Sequence, residues 1–415
     1  ATTEIYTLSL HDALPISLCM NKTARMIGSI FIFCLWAAGC TVSSDSNLIF
    51  IGQYEGGALY QAGPVKVLSL RGTHYQMGRQ YGALLKEDLN DLYDLAVSRY
   101  AGYGIGPERM LEVATAYYAN FPPKYKAVIA GMAETSGLGL DRQIVVKGIE
   151  IIQKINGIVP AGNCSGAAVW GDFTGGAPLI FGRSNDDHPF FRSFGGYTVV
   201  AVFNPTDGGI PTAVVNYAGA IYAPTGLNRY GIFMELNSGN SGGGFSLART
   251  PTVVSMFDIL QSCATAAQAD AAFSNLSVDI SSIVNVSDLS GAASYECSLD
   301  AVKRRAADEP GLLVSTNHFR DPSWGIDPPS PEQDAENGWT LARLENALNW
   351  AQAEKGQANV EKMKDLLSRD IITQQGLYSS YTIYQIVAVP ETLTLWLRAP
   401  DHFEWQKISL RNLFD

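Results

Sequence analysis

The stretch from Gly162 to Asp187, GNCSGAAVWGDFTGGAPLIFGRSNDD, sets one cysteine at the head of an alternating run and closes on arginine and aspartate. A thiol is a strong nucleophile only as its thiolate, so Cys164 would need a base or a cationic neighbour. Histidine is the usual base. The candidates are His188, followed by Pro189, and His318 in STNHF. The flanking tryptophan and second cysteine of a papain-like motif are absent. Another solution needs no histidine. If the peptide bond between Asn163 and Cys164 breaks, the new α-amino group lies on the nucleophilic residue itself. Such an amine titrates at about 7.7–8.0, which suits a general base near neutral pH.

Each residue also has a plain reading. Cys164 could be a buried, inert strand cysteine. Arg183 and Asp186 could form a buried ion pair that fixes a turn. Asn237 could cap a turn, and Asn317 could make a hydrogen bond at a strand end. Arg343, on an amphipathic helical pattern, is by default a solvated charge. Glu296 in SYECS reads as a buried, satisfied carboxylate, and His188 and His318 as structural or substrate-facing.

The chain has 415 residues, 47% hydrophobic and 17% charged, which is ordinary globular composition. Its net charge of −11 argues against nucleic acid, whose phosphates call for a basic surface. The five histidines are scattered and no CxxC motif exists, so neither a metal nor a cofactor is expected. Cys263, in a helical pattern, and Cys297, in a strand-like one, read as buried thiols; a bridge between them stays open.

Residues 1–19 resemble a translated sequencing adapter and are expected to be non-native. Met20 then opens a secretory pattern: Lys22 and Arg25, an apolar run from Met26 to Ala38, and small residues before Cys40. AAGC resembles a bacterial lipoprotein signal with Cys40 as the lipidated residue, although Ala37 stands where leucine is usual; plain secretion is the alternative. The expected location is therefore exported, periplasmic or membrane-anchored through lipid. Residues 41–62 read as a flexible tether.

A single domain is expected over 63–415. Its first part, 63–163, opens with a strand at VKVLSLRG and continues as helices. One long helix is expected over HYQMGRQYGALLKEDLNDLYDLAVSRY, with others at GPERMLEVATAYYANF, PPKYKAVIAGMAETSGL and DRQIVVKGIEIIQKING. From Cys164 the period becomes two, and short strands separated by Gly, Pro and Asn follow. A helix is expected near 253–273 and others at GWTLARLENALNWAQ and NVEKMKDLLS. Strands end the chain. Strands adjacent in sequence argue for antiparallel sheets covered by helices. NSGNSGGG, near Gly239–Gly244, is a candidate mobile rim of the site.

Six segments in order carry a resemblance: LRGTHYQMGRQYG, NCSGAAVWGD with GRSNDD, GLNRYGIFMELN, NVSDLSGAASYECS, GLLVSTNHF and GWTLARL. Together they resemble the cysteine N-terminal-nucleophile (Ntn) hydrolases. In particular they are similar to the acyl-coenzyme A:6-aminopenicillanate (isopenicillin N) acyltransferase family, with choloylglycine hydrolases as distant relatives. The resemblance implies an α+β, four-layer αββα sandwich with two stacked, mainly antiparallel sheets. It makes Cys164 the nucleophile and new N-terminus after cleavage at Asn163–Cys164. Arg183 and Asp186 would position the amine and the reacting carbonyl. Asn237 and Asn317 would lie around the oxyanion and the freed amine, and Arg343 would orient the cysteine's surroundings. Asn163 stands where glycine is frequent, and Ser184 where asparagine is. The implied activity is hydrolysis of a linear amide of a small molecule through an acyl thioester. The alternatives are acyl transfer to an amine, a non-cleaving binding lipoprotein of the same fold, or a thiol protease using one of the histidines.

Overall fold

The computed structural model describes residues 48–158, 163–239 and 243–415. The extension, signal and lipidation site expected over 1–40 lie outside the described residues.

In chain order the strands and helices are β1 (Ile49–Tyr54), β2 (Gly57–Ala62), β3 (Val65–Gly72), α1 (His74–Leu84), α2 (Lys86–Ala101), α3 (Pro107–Ala119), α4 (Pro123–Ser136), α5 (Gly139–Lys147), α6 (Ile149–Ile155), β4 (Ser165–Val169), β5 (Ile180–Asp186), β6 (Thr198–Pro205), β7 (Thr212–Tyr217), β8 (Thr225–Asn228) and β9 (Phe233–Ser238). There follow α7 (Thr252–Ser262), α8 (Ala266–Phe273), β10 (Ser282–Ser287), β11 (Ala292–Cys297), β12 (Val302–Arg305), β13 (Leu312–Ser315), α9 (Thr340–Ala353), α10 (Val360–Ser368), β14 (Thr382–Val389), β15 (Thr394–Ala399) and β16 (Phe403–Ser409).

Two sheets form. The larger runs β1-β2-β3-β6-β7-β8-β9-β10-β11-β12 and the smaller β13-β4-β5-β14-β15-β16. Pairing is antiparallel except between β3 and β6. The sheets stack: the rings of Phe181 on β5 and Phe233 on β9 meet at 4.9 Å. Helices α1 and α7 pack on the larger sheet, α9 and α10 on the smaller. The result is the αββα sandwich expected above.

Alternation explains the layering. On β5, Phe181, Arg183 and Asn185 face the other sheet, while a side chain at Gly182 would meet Met363 of α10. The core divides accordingly. One apolar cluster fills the space between the sheets and under α1–α8; a second lies between the smaller sheet and α9 and α10.

Three expectations are corrected. The tether expected over 41–62 is wrong for 49–62, which form a hairpin and extend the larger sheet. Glu55 and Gly56 both take positive φ, 48° and 88°, as a tight two-residue turn requires. The long helices are interrupted: at Leu85 between α1 and α2, at Gly148 between α5 and α6, and at 263–265 between α7 and α8. β12, unread in the sequence, pairs with β11 at an edge, where its charged VKRR suits exposure.

Candidate active site

Cys164 immediately precedes β4, a strand in the interior of the smaller sheet. Its thiol shares a face with Gly166, two residues on, and that face meets the larger sheet. A Cβ at Gly166 would lie 2.2 Å from Oε1 of Glu235, so the close approach of β4 to β9 requires glycine there. The sulfur donates to the carbonyl oxygen of Asp186 at 3.4 Å and to Oδ1 of Asn185 at 3.8 Å. It lines a cavity of about 90 Å³ together with Arg183, Asn185 and Asp186. Burial pushes the thiol up to about 12; Arg183 opposes this and Asp186 adds to it. The buried Cys164 side chain is therefore a neutral thiol near neutral pH.

Arg183 and Asp186 do not form the ion pair that one reading allowed. They stand three residues apart on β5, and an odd spacing on a strand points side chains to opposite faces. Arg183 instead donates to Glu235 across the gap between the sheets, both side chains fully buried. Its Nη2 also donates to Oδ1 of Asn185 at 2.5 Å. Asn285 on β10 donates to Glu235 and to the hydroxyl of Ser315 on β13, and Nδ2 of Asn237 donates to the same hydroxyl at 3.0 Å. A polar network thus lies buried beneath the thiol. Glu235, Asn285, Ser315 and Asn185 were missed as site residues. All stand inside or beside the quoted segments, at positions whose strand parity places them on the inner face.

Asp186 faces the helices. Its Oδ1 accepts from Ser184 at 2.7 Å, while Oδ2 is buried near Thr382 and makes no close hydrogen bond among the described residues. Burial raises this carboxyl to about 6, against the pull of Ser184 and Arg343. Its backbone oxygen accepts from Asn163 N at 3.1 Å, one residue before Cys164.

Arg343, in the first turn of α9, is fully buried rather than solvated. Asp334 caps this helix by accepting from Leu341 N and Ala342 N. Through four contacts Arg343 clamps the cysteine: Nη1 donates to Cys164 O at 2.6 Å and Ser165 Oγ at 2.8 Å, Nη2 to Asn317 Oδ1 at 2.7 Å, and Nε to Gly338 O at 2.9 Å. Asn317 in turn donates to Ser238 O at 2.8 Å. Cys164, Arg183, Asp186, Asn317 and Arg343 thus meet around one residue. Asn237 joins them through Ser315 and Glu235.

The histidines lie apart from the thiol's hydrogen bonds. Nδ1 of His188 accepts from Phe190 N, and Nδ1 of His318 pairs with Thr340 Oγ1 at 3.0 Å. Burial lowers His318 to about 4. Glu296 accepts from Arg320 N, Asp321 N and Trp324 Nε1, a satisfied carboxylate as read. Cys263 and Cys297 are free, so the open bridge is not formed. Of the loop read as a mobile rim, 240–242 lie outside the described residues. Ser238 and Phe245, on either side of it, line the cavity.

No protein-family profile matches the chain. A stretch of 96 residues, 22% of the chain, is 32% identical to Protein dcd1A of Dictyostelium discoideum, and the match spans 20% of that protein. Among solved structures, an N-acylethanolamine-hydrolyzing acid amidase ortholog of Caenorhabditis elegans is similar at 17% identity and TM-score 0.44, over 60% of this chain and 100% of that one. A mutant conjugated bile acid hydrolase of Clostridium perfringens is similar at 10% identity and TM-score 0.41, over 60% and 93%. A penicillin V acylase of Agrobacterium tumefaciens is similar at 12% identity and TM-score 0.35, over 57% and 83%.

Proposed function

We propose that the chain is an exported, self-processing cysteine amidase that hydrolyses a linear amide through an acyl thioester on Cys164. In the precursor the Cys164 sulfur attacks the Asn163 carbonyl carbon, and the acyl group passes from nitrogen to sulfur. Water then hydrolyses this thioester. Asn163 is left as a carboxylate and Cys164 with a free α-amine and thiol. In the mature protein the α-amine takes the thiol proton, and the thiolate attacks the substrate carbonyl. The leaving amine departs with a proton from the α-ammonium, and water cleaves the acyl-enzyme.

The observation that carries this reading is the environment of Cys164: a buried thiol at a cavity wall, clamped by Arg343, with no histidine hydrogen-bonded to the sulfur. A thiol held neutral by burial needs a base close by, and the amine of its own residue is the nearest that cleavage can supply. The same observation weighs against a histidine-dependent thiol protease. Arg183 fixes which atom of Asn185 faces it, because a guanidinium can only donate. The NH2 of Asn185 makes no hydrogen bond with a described residue, lies beside the thiol, and serves in this reading as an oxyanion donor. Export and lipidation at Cys40 belong to the same proposal and rest on the pattern of residues 20–40 alone.

Denaturing electrophoresis with intact mass measurement tests the reading. Two fragments divided between Asn163 and Cys164 are expected, and a single band for Cys164→Ala. Active protein with an unbroken backbone would overturn it.

A further inference from the structure

Beside the catalytic groups the cavity holds an excess of negative charge that the chemistry above does not use. Glu150 on α6, Asp187 directly after β5, and Asp279 just before β10 all line it. In each, one carboxylate oxygen is tied to the protein. Glu150 Oε2 accepts from Tyr222 Oη at 2.9 Å. Asp187 Oδ1 accepts from His188 N at 2.7 Å and from Gln153 Nε2 at 3.3 Å. Asp279 Oδ1 accepts from Thr252 N and Thr252 Oγ1, each at 2.7 Å. The second oxygen of each forms no hydrogen bond or ion pair with a described residue. Asp279 is itself 4% exposed, so its open oxygen is buried at the cavity rather than bathed in bulk water.

The nearby cations answer these three groups only in part. Arg183 is matched by Glu235, and Asp186 is the acid that Arg343 faces. Lys154, on the cavity wall, is exposed; its charge pulls all three carboxyls down, but it forms no ion pair with a described residue. Lys147 is buried against the rings of Tyr222 and Phe121, and burial holds it well below the usual lysine range. Burial raises all three carboxyls, against the pull of Lys154. Among the described residues no three acids converge closely enough to hold a metal ion. Separated acceptors suit an extended organic cation with several N–H donors instead.

We infer that the amide taken at Cys164 carries a cationic group, an ammonium or guanidinium, which the open oxygens of Glu150, Asp187 and Asp279 receive. This rests on the amidase reading above. A bound cation would favour the ionised form of the three acids, and its recognition would be strongest with water excluded.

Two substrate series and one binding measurement test it. The first series shares an aminomethylcoumarin leaving group and varies the acyl group among ω-aminohexanoyl, heptanoyl and adipoyl. The second is the hexanoyl amides of putrescine, pentylamine and γ-aminobutyrate. In at least one series the cationic member should exceed its neutral counterpart in kcat/KM by on the order of tenfold to 100-fold. The anionic member should be poorest, and the preference should shrink with added salt. Glu150→Gln with Asp279→Asn should reduce the ratio between cationic and neutral members. Calorimetry of putrescine against Cys164→Ala protein should show binding that the double change weakens. Processed enzyme that cleaves neutral amides as well as cationic ones in both series overturns the inference and leaves the amidase reading standing. Putrescine binding to protein that neither processes nor cleaves any amide supports the cation site and sinks the amidase reading. Failure of both binding and cleavage overturns both.

Discussion

Nη1 of Arg343 lies 2.6 Å from the carbonyl oxygen of Cys164, so a side chain from α9 grips this cysteine by its backbone. The contact spans 179 residues of sequence, and it leaves the thiol free on the opposite side of the sheet. Arg343→Lys keeps a charge but loses the planar fork that serves four acceptors. Processing should slow, and kcat should fall on the order of 100-fold. Band ratios over time and turnover of the processed fraction check this; normal values for both would refute the clamp.

The pair Arg183–Glu235 makes a different prediction. Both side chains are fully buried, and removing one partner strands the other's charge. Glu235→Leu should cost about 3–5 kcal/mol. Adding Arg183→Met should return much of that loss, since two apolar groups of similar volume leave no charge behind. Denaturant unfolding of the single and double variants, each in the Cys164→Ala background, gives the comparison. A double variant as unstable as the single would count against it.

Asp186 makes stability depend on pH in a defined direction. Its folded carboxyl lies at about 6, above the ordinary 3.8. Between these values the folded chain holds a proton that the unfolded chain has released. The stabilising contribution is thus complete below about 3.8, declines as pH rises, and is gone above about 6. The span corresponds to about 3 kcal/mol. Asp186→Asn should remove this dependence, so the variant should gain on the parent from pH 4 to pH 7, by about that amount at most. A constant stability difference across this window would show that Asp186 titrates normally.

Asn185 is expected to matter for rate rather than for fold. Its amide lines the cavity with its orientation set by Arg183. Asn185→Leu should lower kcat on the order of 100-fold with a smaller change in KM, because the bond it makes strengthens as the oxyanion forms. A change in KM alone would assign Asn185 to substrate binding.

Gly338 packs against Asn163. It takes φ 67°, and a Cβ there would come within 1.9 Å of Asn163 Oδ1. Its carbonyl also holds Arg343 Nε. Gly338→Ala should cost about 1–3 kcal/mol from backbone strain and should displace Asn163. The expected result is slow or absent cleavage, visible as persistent uncut chain. Wild-type cleavage kinetics would show that the Asn163 side chain has room to move without consequence.

Much of this architecture is local in origin. The switch from helical spacing to alternation at Cys164 places β4 and β5, and the Pro and Gly punctuation marks most helix ends. The same alternation places Arg183 and Asp186 on opposite faces, a fact readable from their spacing of three that a turn-fixing pair disregards. The hairpin at 49–62 was also legible in its Glu-Gly turn, yet its glycines, Gly52, Gly56 and Gly57, pass equally for a tether.

Alternation in the sequence by itself determined which residues share a face, and the order of motifs marked Cys164 and the residues that gather near it. The tertiary structure alone decided which faces meet. Glu235 stands 52 residues from Arg183, and Glu150, Asp187 and Asp279 come from three separate segments. Such partners are chosen when the sheets stack and helices close over them, and that choice depends on long-range burial, which no local period records.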